Sequence, residues 1–598
     1  MAWWRSFEAR LLLGSLLLRL LYLSTILDSP YFDHPVTDEA LYDAWARAIV
    51  SGRRFIDYPY YDSPLHAFFL ALLYAVFGPN LLAVRMVQAV IGTVNVLILY
   101  RIALRWFDPP TARVAGMLAA CYAPFLYFEG LLLKESFALF LMDLIVLLVL
   151  AALERATPLA FWSVGAGMGL LALSRVNALL LVPACLIAAW LKGIRSPMVV
   201  LALLLGVVMT IAPAAIRNRL VSGEWVLITV SGGQVLYTAN NPANTTGDLA
   251  PVPFVRATSA FERVDFHRRA EAESHRRLTP TEVSRYWRTQ SMLFVLEHPG
   301  TAAGMLAHRF LRFWNLAEIP DNHSIEQFKR FSWILRLPLP GYWLVAPFAL
   351  AGLFLLRDRW RGLSGLFLVF GFYVASLLPF WISSRYRLPI VGIMIILAAA
   401  GMVELRRKTL AGGPWGWVKP ATGLVAACAV CWLPMGRPDV SGLERNLAYA
   451  YEQDRRYPEA IAIYERLRRT QTNPENDLYL ANALGLAGRA DEAGALLADL
   501  AGHDRSAWVR QRAFVFKGDL ARRGKHWEEA EQAYRAALAL DDTDYGSWNN
   551  LGIALVNQRR FGEGAEAFRR SITLAPEDDL ARRNLESLEK IFRMTVDE

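Results

Sequence analysis

Residues 136–197 read "SFALFLMDLIVLLVLAALERATPLAFWSVGAGMGLLALSRVNALLLVPACLIAAWLKGIRSP". Three apolar runs, near 136–153, 158–174 and 176–191, follow one another here with only short charged breaks between them. A membrane-spanning helix needs about 20 predominantly apolar residues, so each run is long enough, or nearly so, to cross a bilayer. The stretch therefore predicts three consecutive transmembrane helices.

The same pattern recurs along most of the chain. Of its 598 residues, 55% are hydrophobic, which is too apolar for one soluble domain. Further apolar runs lie near 10–27, 82–104, 113–128, 197–215, 342–356, 363–382, 387–404 and 420–436. Segment 63–78 is shorter and lies between turn-forming residues, which predicts a re-entrant or interfacial helix. The predicted fold class is all-α, a polytopic membrane helical bundle of about eleven spans.

The charges predict which loops face the cytoplasm. If the N-terminus is cytoplasmic, the short inner loops, among them "ERATP", "LKGIRSP" and "RDRWRG", carry basic residues as the positive-inside rule requires. The long loops at 28–81 and 217–341 then lie outside, and so does the C-terminus after an odd number of spans. The net charge of +9 resides in short clusters beside apolar segments, so we exclude nucleic acid as a partner.

Cysteines and histidines give no sign of a metal site or a redox centre. The four cysteines lie in apolar runs, and the pair Cys428 and Cys431 has no charge nearby that would stabilise a thiolate. The histidines of the second long loop are dispersed, without the spacing of a metal-binding motif. We predict no metal and no cofactor.

The composition changes after Pro438 to charged, alanine-rich helix. Tetratricopeptide positions are occupied by Trp548, Leu551, Gly552, Phe568 and Pro576, and one period earlier by Gly518, Ala530, Tyr534 and Ala537. About four repeats are expected, closed by a charged helix near 579–594. We predict a membrane domain at 1–436 and an extracytoplasmic repeat domain at 437–598, whose concave surface would bind peptide or protein.

An acidic pair opens the stretch "TDEALYDAWARAI" at residues 37–49, close to the outer face of the first span. Asp38 and Glu39 in the first turn of a helix are explained by capping, with Thr37 as N-cap and the acids facing the helix dipole. Arg53 and Arg54 bring positive charge to the same loop. A carboxylate beside clustered cations also suits the deprotonation of a hydroxyl and the departure of a phosphate.

Two more charged motifs are expected on the outer side. Lys134 and Glu135 end the loop "YFEGLLLKES" between the third and fourth spans, although charged residues commonly start a helix there. Arg385 and Arg387 in "SSRYRLP" open a late span. They suit either snorkelling at the interface or a clamp on a lipid phosphate.

Two charges lie within predicted spans. Arg19 in the first span and Asp143 in the fourth have similar expected depths, about 12 to 13 Å below the outer face at 1.5 Å per residue. Charges in hydrocarbon are costly and are normally paired or functional. The sequence therefore predicts an ion pair between Arg19 and Asp143.

Taken in order, these motifs resemble those of the bacterial protein O-mannosyltransferase-like glycosyltransferases (family 39-like) of the GT-C superfamily. The resemblance runs from about residue 10 to residue 405. It rests on the Asp-Glu pair followed by Tyr42, and on the motifs "YDSPLHAFFLALLYAVFG", "LLLKES", "TANNPANTTG" and "SRYRLP".

The resemblance implies an integral-membrane enzyme that transfers a sugar from a polyprenyl-phosphate carrier to an extracytoplasmic acceptor, with inversion. The implied catalytic residues are Asp38 as base, Glu39 and Glu135, and the implied residues at the lipid phosphate are Lys134, Arg385, Arg387, Arg53 and Arg54. The acceptor would be a protein hydroxyl, a glycan or a lipid. The membrane would be the bacterial inner membrane, with a further protein partner on the repeats.

Two alternatives differ in where the chemistry lies. A glycan ligase of the O-antigen type would depend on Arg and His of the long outer loop, so replacing Asp38 with Asn would leave its activity unchanged. A non-enzymatic scaffold would use the repeats alone, but an anchor needs neither eleven spans nor buried charges.

Overall fold

A computed structural model describes residues 6–52, 58–255, 259–411, 418–436, 440–471, 473–503, 506–575 and 579–596. Within these residues all regular secondary structure is helical, which confirms the all-α class. The described residues form two compact units, one up to Gly436 and one from Val440 onward.

The first unit contains twenty α-helices among its described residues. They are α1 (Phe7–Thr25), α2 (Pro30–Asp33), α3 (Asp38–Val50), α4 (Leu65–Phe77), α5 (Leu81–Trp106), α6 (Pro109–Cys121), α7 (Ala123–Glu129), α8 (Glu135–Arg155), α9 (Pro158–Ser174), α10 (Leu181–Leu191), α11 (Pro197–Ser222), α12 (Gly232–Ala239), α13 (Ser259–Ser274), α14 (Pro280–Glu297), α15 (Pro299–Trp314), α16 (Ile325–Phe328), α17 (Tyr342–Leu355), α18 (Ser364–Leu377), α19 (Ser384–Ala411) and α20 (Val418–Cys431).

Several of these helices suit a multi-pass membrane protein. In the described part of the chain, α5, α8, α11 and α19 are each long and apolar enough to cross a bilayer. Helix α1 and the segment Pro30–Val50 pass the same test together, with a bend of 102° between them. Each of the eleven predicted spans overlaps a helix, but several of these helices are short, so the span count stays a prediction.

The predicted span at 113–128 is broken. Tyr122 is extended, with ψ of 110°, and separates α6 from α7. Pro124 lies in the first turn of α7; it has no amide hydrogen to donate to the carbonyl of Ala120, four residues earlier, and its ring would clash there, so the break is local in origin. The amide of Ala123 donates to the carbonyl of Pro340 instead, at 2.9 Å.

Small residues bring helices close together. A Cβ on Gly165 of α9 would lie 2.0 Å from the carbonyl oxygen of Leu203 on α11, and one on Gly206 would lie 2.3 Å from that of Trp162. Such contacts leave room only for glycine, as is usual where membrane helices pack backbone to backbone. Helix α19 lies at the centre of the unit, with every residue from Leu388 to Gly401 buried.

The predicted ion pair between Arg19 and Asp143 is wrong. Arg19 binds Glu129, the last residue of α7, with Nε 2.7 Å from Oε2. Asp143 instead accepts a hydrogen bond from Asn95 Nδ2 at 2.8 Å. The depths expected from the sequence are similar, but each of the two side chains has another partner.

The second unit consists of four helix pairs and a closing helix. Its helices are α21 (Ser441–Gln453), α22 (Tyr457–Thr470), α23 (Pro474–Leu486), α24 (Ala490–His503), α25 (Ala507–Arg523), α26 (Trp527–Leu540), α27 (Tyr545–Asn557), α28 (Phe561–Leu574) and α29 (Asp579–Val596). This confirms the predicted repeats.

The repeat glycines are needed for packing. A Cβ on Gly518 would lie 2.6 Å from the ring of Tyr534, and one on Gly552 would lie 2.6 Å from the ring of Phe568. The two pairs are one 34-residue period apart. The small residue of each first helix therefore admits the aromatic residue of the second.

Candidate active site

The candidate site begins at the first turn of α3. Thr37 occupies the N-cap position, but its hydroxyl donates to the carbonyl of Val36 at 2.7 Å and accepts no bond from the helix. Its φ of +53° is unusual for a residue with a β-branched side chain. Backbone strain of this kind is concentrated at functional sites. Side-chain capping by Thr37 therefore does not account for the acidic pair.

Asp38 meets a cation from a distant part of the chain. Its Oδ2 lies 2.8 Å from Nη2 of Arg385, and its side chain keeps 32% exposure. Burial alone would raise the pKa of Asp38, but the charges of Arg385 and Lys134 outweigh it and lower that pKa below its ordinary value. The side chain of Asn322 also bonds the carboxylate. Asp38 is therefore an ionised carboxylate that solvent can still reach.

Arg385 is the centre of the cluster. Its Nε donates to Glu135 Oε1 at 2.9 Å, and its Nη1 lies 3.8 Å from Oδ2 of Asp321. Arg175 donates from Nη2 to the same Glu135 oxygen at 2.7 Å, and to the backbone carbonyl of Arg385 at 2.9 Å. Glu135 is completely buried. It therefore fixes both guanidinium groups at the N-terminal ends of α8 and α19.

Lys134 and Asp62 complete the cluster on the side of the first long loop. Burial, Arg175 and Arg385 lower the pKa of Lys134. Burial and the neighbouring Asp38 raise the pKa of Asp62 from 3.8 to about 6, against the opposing charge of Lys134. The site thus combines an ionised carboxylate, a carboxylate with a raised pKa, and an ammonium group.

The segment that carries Asp62 is fixed by α11 and by the start of α12. The amide of Tyr60 donates to Asn218 Oδ1 at 3.0 Å, and the hydroxyl of Ser231 donates to the carbonyl of Tyr61 at 2.7 Å. The Tyr61 hydroxyl donates to Glu262 Oε1 at 3.1 Å. Burial and the charge of Asp62 raise the pKa of Glu262 to about 7.

Glu39 faces away from Asp38. Its Oε1 accepts the amide of Leu132 at 3.0 Å, and its Oε2 lies 3.6 Å from Nε2 of His323. Both Glu39 and His323 are buried. The structure thus gives Glu39 a contact with the segment that leads to Lys134, and no contact with Arg385 is formed.

Arg387 also lies apart from the cluster, although it is two residues from Arg385. It donates to the carbonyl oxygens of Asn315 at 2.8 Å and Ala317 at 2.7 Å, and its guanidinium lies 3.8 Å from the ring centre of Tyr342. These contacts hold the chain that follows α15. The predicted phosphate residues Arg53 and Arg54 lie outside the described residues.

A small pocket adjoins the cluster. It is lined by Pro124, Tyr127, Phe128, Leu133, Glu318, Ile319, Pro320, Asp321, Asn322, His323, Ile325, Ser384 and Arg385. Three consecutive residues of its wall, 321 to 323, contact Arg385, Asp38 and Glu39 in turn. The end of the second long loop therefore covers the start of α3.

No group of three or more His, Cys, Asp or Glu side chains in the described part of the chain is arranged to hold a metal ion. The absence of a metal and of a cofactor stays a prediction. The arrangement offers a base beside two cations, which suits proton removal from a hydroxyl and stabilisation of a departing anion.

Sequence reasoning missed four members of the cluster. Asp62 and Arg175 lie in two separate connections, and the adjacent Asp321 and Asn322 lie in a third, so no local pattern joins them. Asp62 alone had a signal, because it lies within the quoted stretch "YDSP".

Residues 59–216 match the family model of dolichyl-phosphate-mannose-protein mannosyltransferases. Tetratricopeptide-repeat models match residues 445–477 and 545–578. These matches confirm the resemblance inferred from the motifs. The first match includes Asp62, Lys134, Glu135 and Arg175 but ends before Arg385, and it begins after Asp38.

No curated protein sequence matches the chain. Among solved structures, the apo oligosaccharyltransferase of Archaeoglobus fulgidus is 15% identical over 80% of this chain and 60% of its own, with a TM-score of 0.40. The same enzyme tethered to an acceptor peptide is 13% identical over 77% and 59%, with a TM-score of 0.41. MamA of Desulfovibrio magneticus RS-1 is 18% identical over 27% of this chain and 95% of its own, with a TM-score of 0.20. The chain thus spans about 60% of the oligosaccharyltransferase.

Proposed function

We propose that the protein is an integral-membrane glycosyltransferase that transfers a sugar from a polyprenyl phosphate to a hydroxyl of an extracytoplasmic acceptor. The observation that carries the proposal is the contact between Asp38 and Arg385 at 2.8 Å, with Lys134 close to both. The family match over residues 59–216 supports the same donor class. A polyprenyl phosphate lies at the membrane boundary, and Lys134 and Arg385 lie at the N-terminal ends of α8 and α19, two helices long and apolar enough to cross a bilayer.

In the proposed reaction, the acceptor hydroxyl attacks the anomeric carbon from the face opposite the phosphate. A bond forms between the acceptor oxygen and this carbon, and the bond from the carbon to the phosphate oxygen breaks. The proton of the hydroxyl passes to Asp38, and the electron pair of the broken bond leaves with the polyprenyl phosphate. The configuration at the anomeric carbon is therefore inverted.

The neighbouring residues have separate roles in the proposed reaction. Arg385 and Lys134 would bind the phosphate oxygens, because they are the cations nearest to Asp38. Glu135 is a positioning residue in this proposal, since it binds Arg385 and Arg175 through one carboxylate oxygen. When the phosphate binds Arg385 in place of Asp38, Asp38 loses its ion-pair partner and becomes a stronger base.

The proposal also includes the location of the protein and the class of its acceptor. We assign the catalytic side and the repeats to the extracytoplasmic face of a bacterial inner membrane, where the repeats would hold a protein acceptor or a partner enzyme. This placement rests on the basic inner loops and on the usual role of tetratricopeptide solenoids.

The test measures polyprenyl phosphate released from a panel of polyprenyl-phosphate sugars by the purified protein in the presence of envelope extract. We expect release from one donor and a loss of at least about 100-fold in Asp38→Asn, as for removal of a general base. Asp43→Asn is the matched control on the same helix, because Asp43 binds Tyr74 and Arg47 outside the cluster. Equal release by wild type and Asp38→Asn would refute the role of Asp38.

Deleting residues 437–598 separates the transferase from a scaffold. A transferase keeps basal release of polyprenyl phosphate, with a changed choice of acceptor, because its charged cluster lies wholly in the first unit. A non-enzymatic scaffold would release no polyprenyl phosphate, with or without the repeats. Unaltered activity in Asp38→Asn together with loss on replacing arginines of the long loop would favour a ligase.

A further inference from the structure

Helices α14 and α15 leave a set of large apolar side chains uncovered. The uncovered side chains are Met292, Leu293, Val295 and Leu296 on α14, and Leu306 and Phe310 on α15. Leu296 is 75% exposed. Exposed apolar groups in such number are unusual on a surface that faces water and indicate an interaction.

The two halves of α14 differ in character. In the first half, Val283 and Trp287 are buried in an aromatic core, and the Trp287 indole donates to the carbonyl of Phe266 at 2.9 Å. Arg285 and Arg288 of this half are exposed. From residue 289 to residue 296 the sequence "TQSMLFVL" has no charge. The helix therefore passes from a polar surface to an apolar one.

Helix α15 keeps its arginines away from its apolar surface. Arg309 donates to the carbonyl of Ala239 at 2.6 Å, and Arg312 lies 2.6 Å from Asp248 Oδ2. Both arginines are buried. The surface that carries Leu306 therefore has no exposed arginine.

The end of α15 is attached to an apolar helix that we predict to span the membrane. Asn315 donates from Nδ2 to the carbonyl of Leu433 at 2.9 Å, and the amide of Leu316 donates to the carbonyl of Cys431 at 3.0 Å. Trp432, between these acceptors, is 61% exposed. Tryptophan is enriched where a membrane meets water, so an exposed Trp432 suits a junction at this boundary.

We propose that α14 and α15, two consecutive helices joined at His298, lie in the membrane interface with their uncovered apolar side chains in the lipid. Neither helix spans the bilayer, because the apolar part of each is shorter than about 20 residues. Their junction carries Glu297 and His298, both exposed, which fit the headgroup layer and not the hydrocarbon centre. The apolar side chains would reach about 5–10 Å into the boundary region.

Arg285 and Arg288 lie where α14 leaves the lipid and would face the phosphates of anionic headgroups. The sequence-based spans treated the whole of 217–341 as a loop, so this attachment adds to the membrane contacts of the chain. It does not depend on the proposed transfer reaction.

The test places a fluorophore at single cysteines in the full chain, after its four cysteines are replaced by alanine. The labelled variants are Leu296→Cys on α14, Phe310→Cys on α15, and Arg276→Cys as the exposed control before α14. Each protein is reconstituted in vesicles of phosphatidylglycerol and phosphatidylethanolamine. Quenching by nitroxide-labelled lipid is then compared with quenching by aqueous iodide.

We expect nitroxide lipid to quench positions 296 and 310 several-fold more strongly than it quenches position 276, and iodide to show the reverse order. Iodide quenching at 296 equal to that at 276 would overturn the proposal, because the apolar surface would then face water. Protection from both quenchers would also overturn it, since a second copy or another protein would then cover these two helices.

Discussion

Asp38 and Glu39 are adjacent in sequence, yet they meet different surroundings because successive side chains of a helix point about 100° apart. Asp38 reaches Arg385, whereas Glu39 turns into the protein and accepts the amide of Leu132. The pair therefore consists of the proposed base, Asp38, and a structural acceptor, Glu39.

We expect Glu39→Gln to keep transfer within about tenfold of wild type, because the amide oxygen of glutamine can still accept the Leu132 amide. Glu39→Ala leaves that buried amide without its acceptor, and we expect a loss of about 1–3 kcal/mol in the free energy of unfolding. Polyprenyl phosphate release and thermal unfolding in detergent measure the two effects. A loss of release in Glu39→Gln as large as that in Asp38→Asn would instead give both acids a catalytic role.

Asp62 gives the stability of the fold a defined dependence on pH. Its pKa is raised in the folded state from 3.8 to about 6. Below pH 4 the carboxyl is protonated in both states. Between about pH 4 and pH 6 the unfolded chain loses the proton first, so this group destabilises the fold as pH rises. Above about pH 6 the carboxyl is ionised in both states, and the loss of folding stability reaches its full size.

Asp62→Asn removes that loss of stability. We expect it to raise the melting temperature at pH 8 relative to wild type, and the gain to shrink as pH falls from 6 to 4. Parallel melting curves of Asp43→Asn provide the control, since Asp43 binds Tyr74 and Arg47 instead. A gain of equal size at every pH would show that Asp62 does not titrate in this window.

The residues of the site differ in how far sequence could identify them. Asp38, Lys134 and Glu135 stand in charged motifs at the ends of apolar runs, which made them candidates, and the family resemblance implied their roles. Arg175 reaches the cluster only because the connection after α9 lies beside the start of α19. Pairing between distant connections depends on how the helices pack, which local patterns do not contain.

At the scale of the elements, composition predicted the helices but not the breaks between them. The stretch at 113–128 carries no charge after Arg113, and only Pro124 hints that two helices replace one. In the structure Arg19 binds Glu129 at the end of α7, and Asp143 accepts a hydrogen bond from Asn95. The predicted ion pair is wrong because expected depth alone does not select among the partners that helix packing brings within reach.

Gly392 of α19 leaves room for the side chain of Asp143 on α8. A Cβ on Gly392 would lie 2.1 Å from Oδ1 of Asp143, so Gly392→Ala must displace this carboxylate, which accepts a hydrogen bond from Asn95, or move the helix backbones. We expect a loss of about 1–3 kcal/mol in stability, the usual effect of overpacking. Gly371→Ala on α18 is the control, because no atom lies within 4 Å of its added Cβ. A thermal shift assay should show a lower melting temperature only for Gly392→Ala, and equal shifts would refute the close contact.

At the scale of the whole molecule, an odd number of spans puts the repeats on the same side as the long loops. Single cysteines in the cysteine-free chain test this with a maleimide that does not cross membranes. Arg276→Cys in the long loop and Arg559→Cys in the repeats should label in intact cells, whereas Arg195→Cys, in a predicted inner loop, should label only after permeabilisation; all three native side chains are exposed. If Arg559→Cys behaves like Arg195→Cys, the repeats are cytoplasmic and the span number is even. The solenoid could then not present an extracytoplasmic acceptor to Asp38.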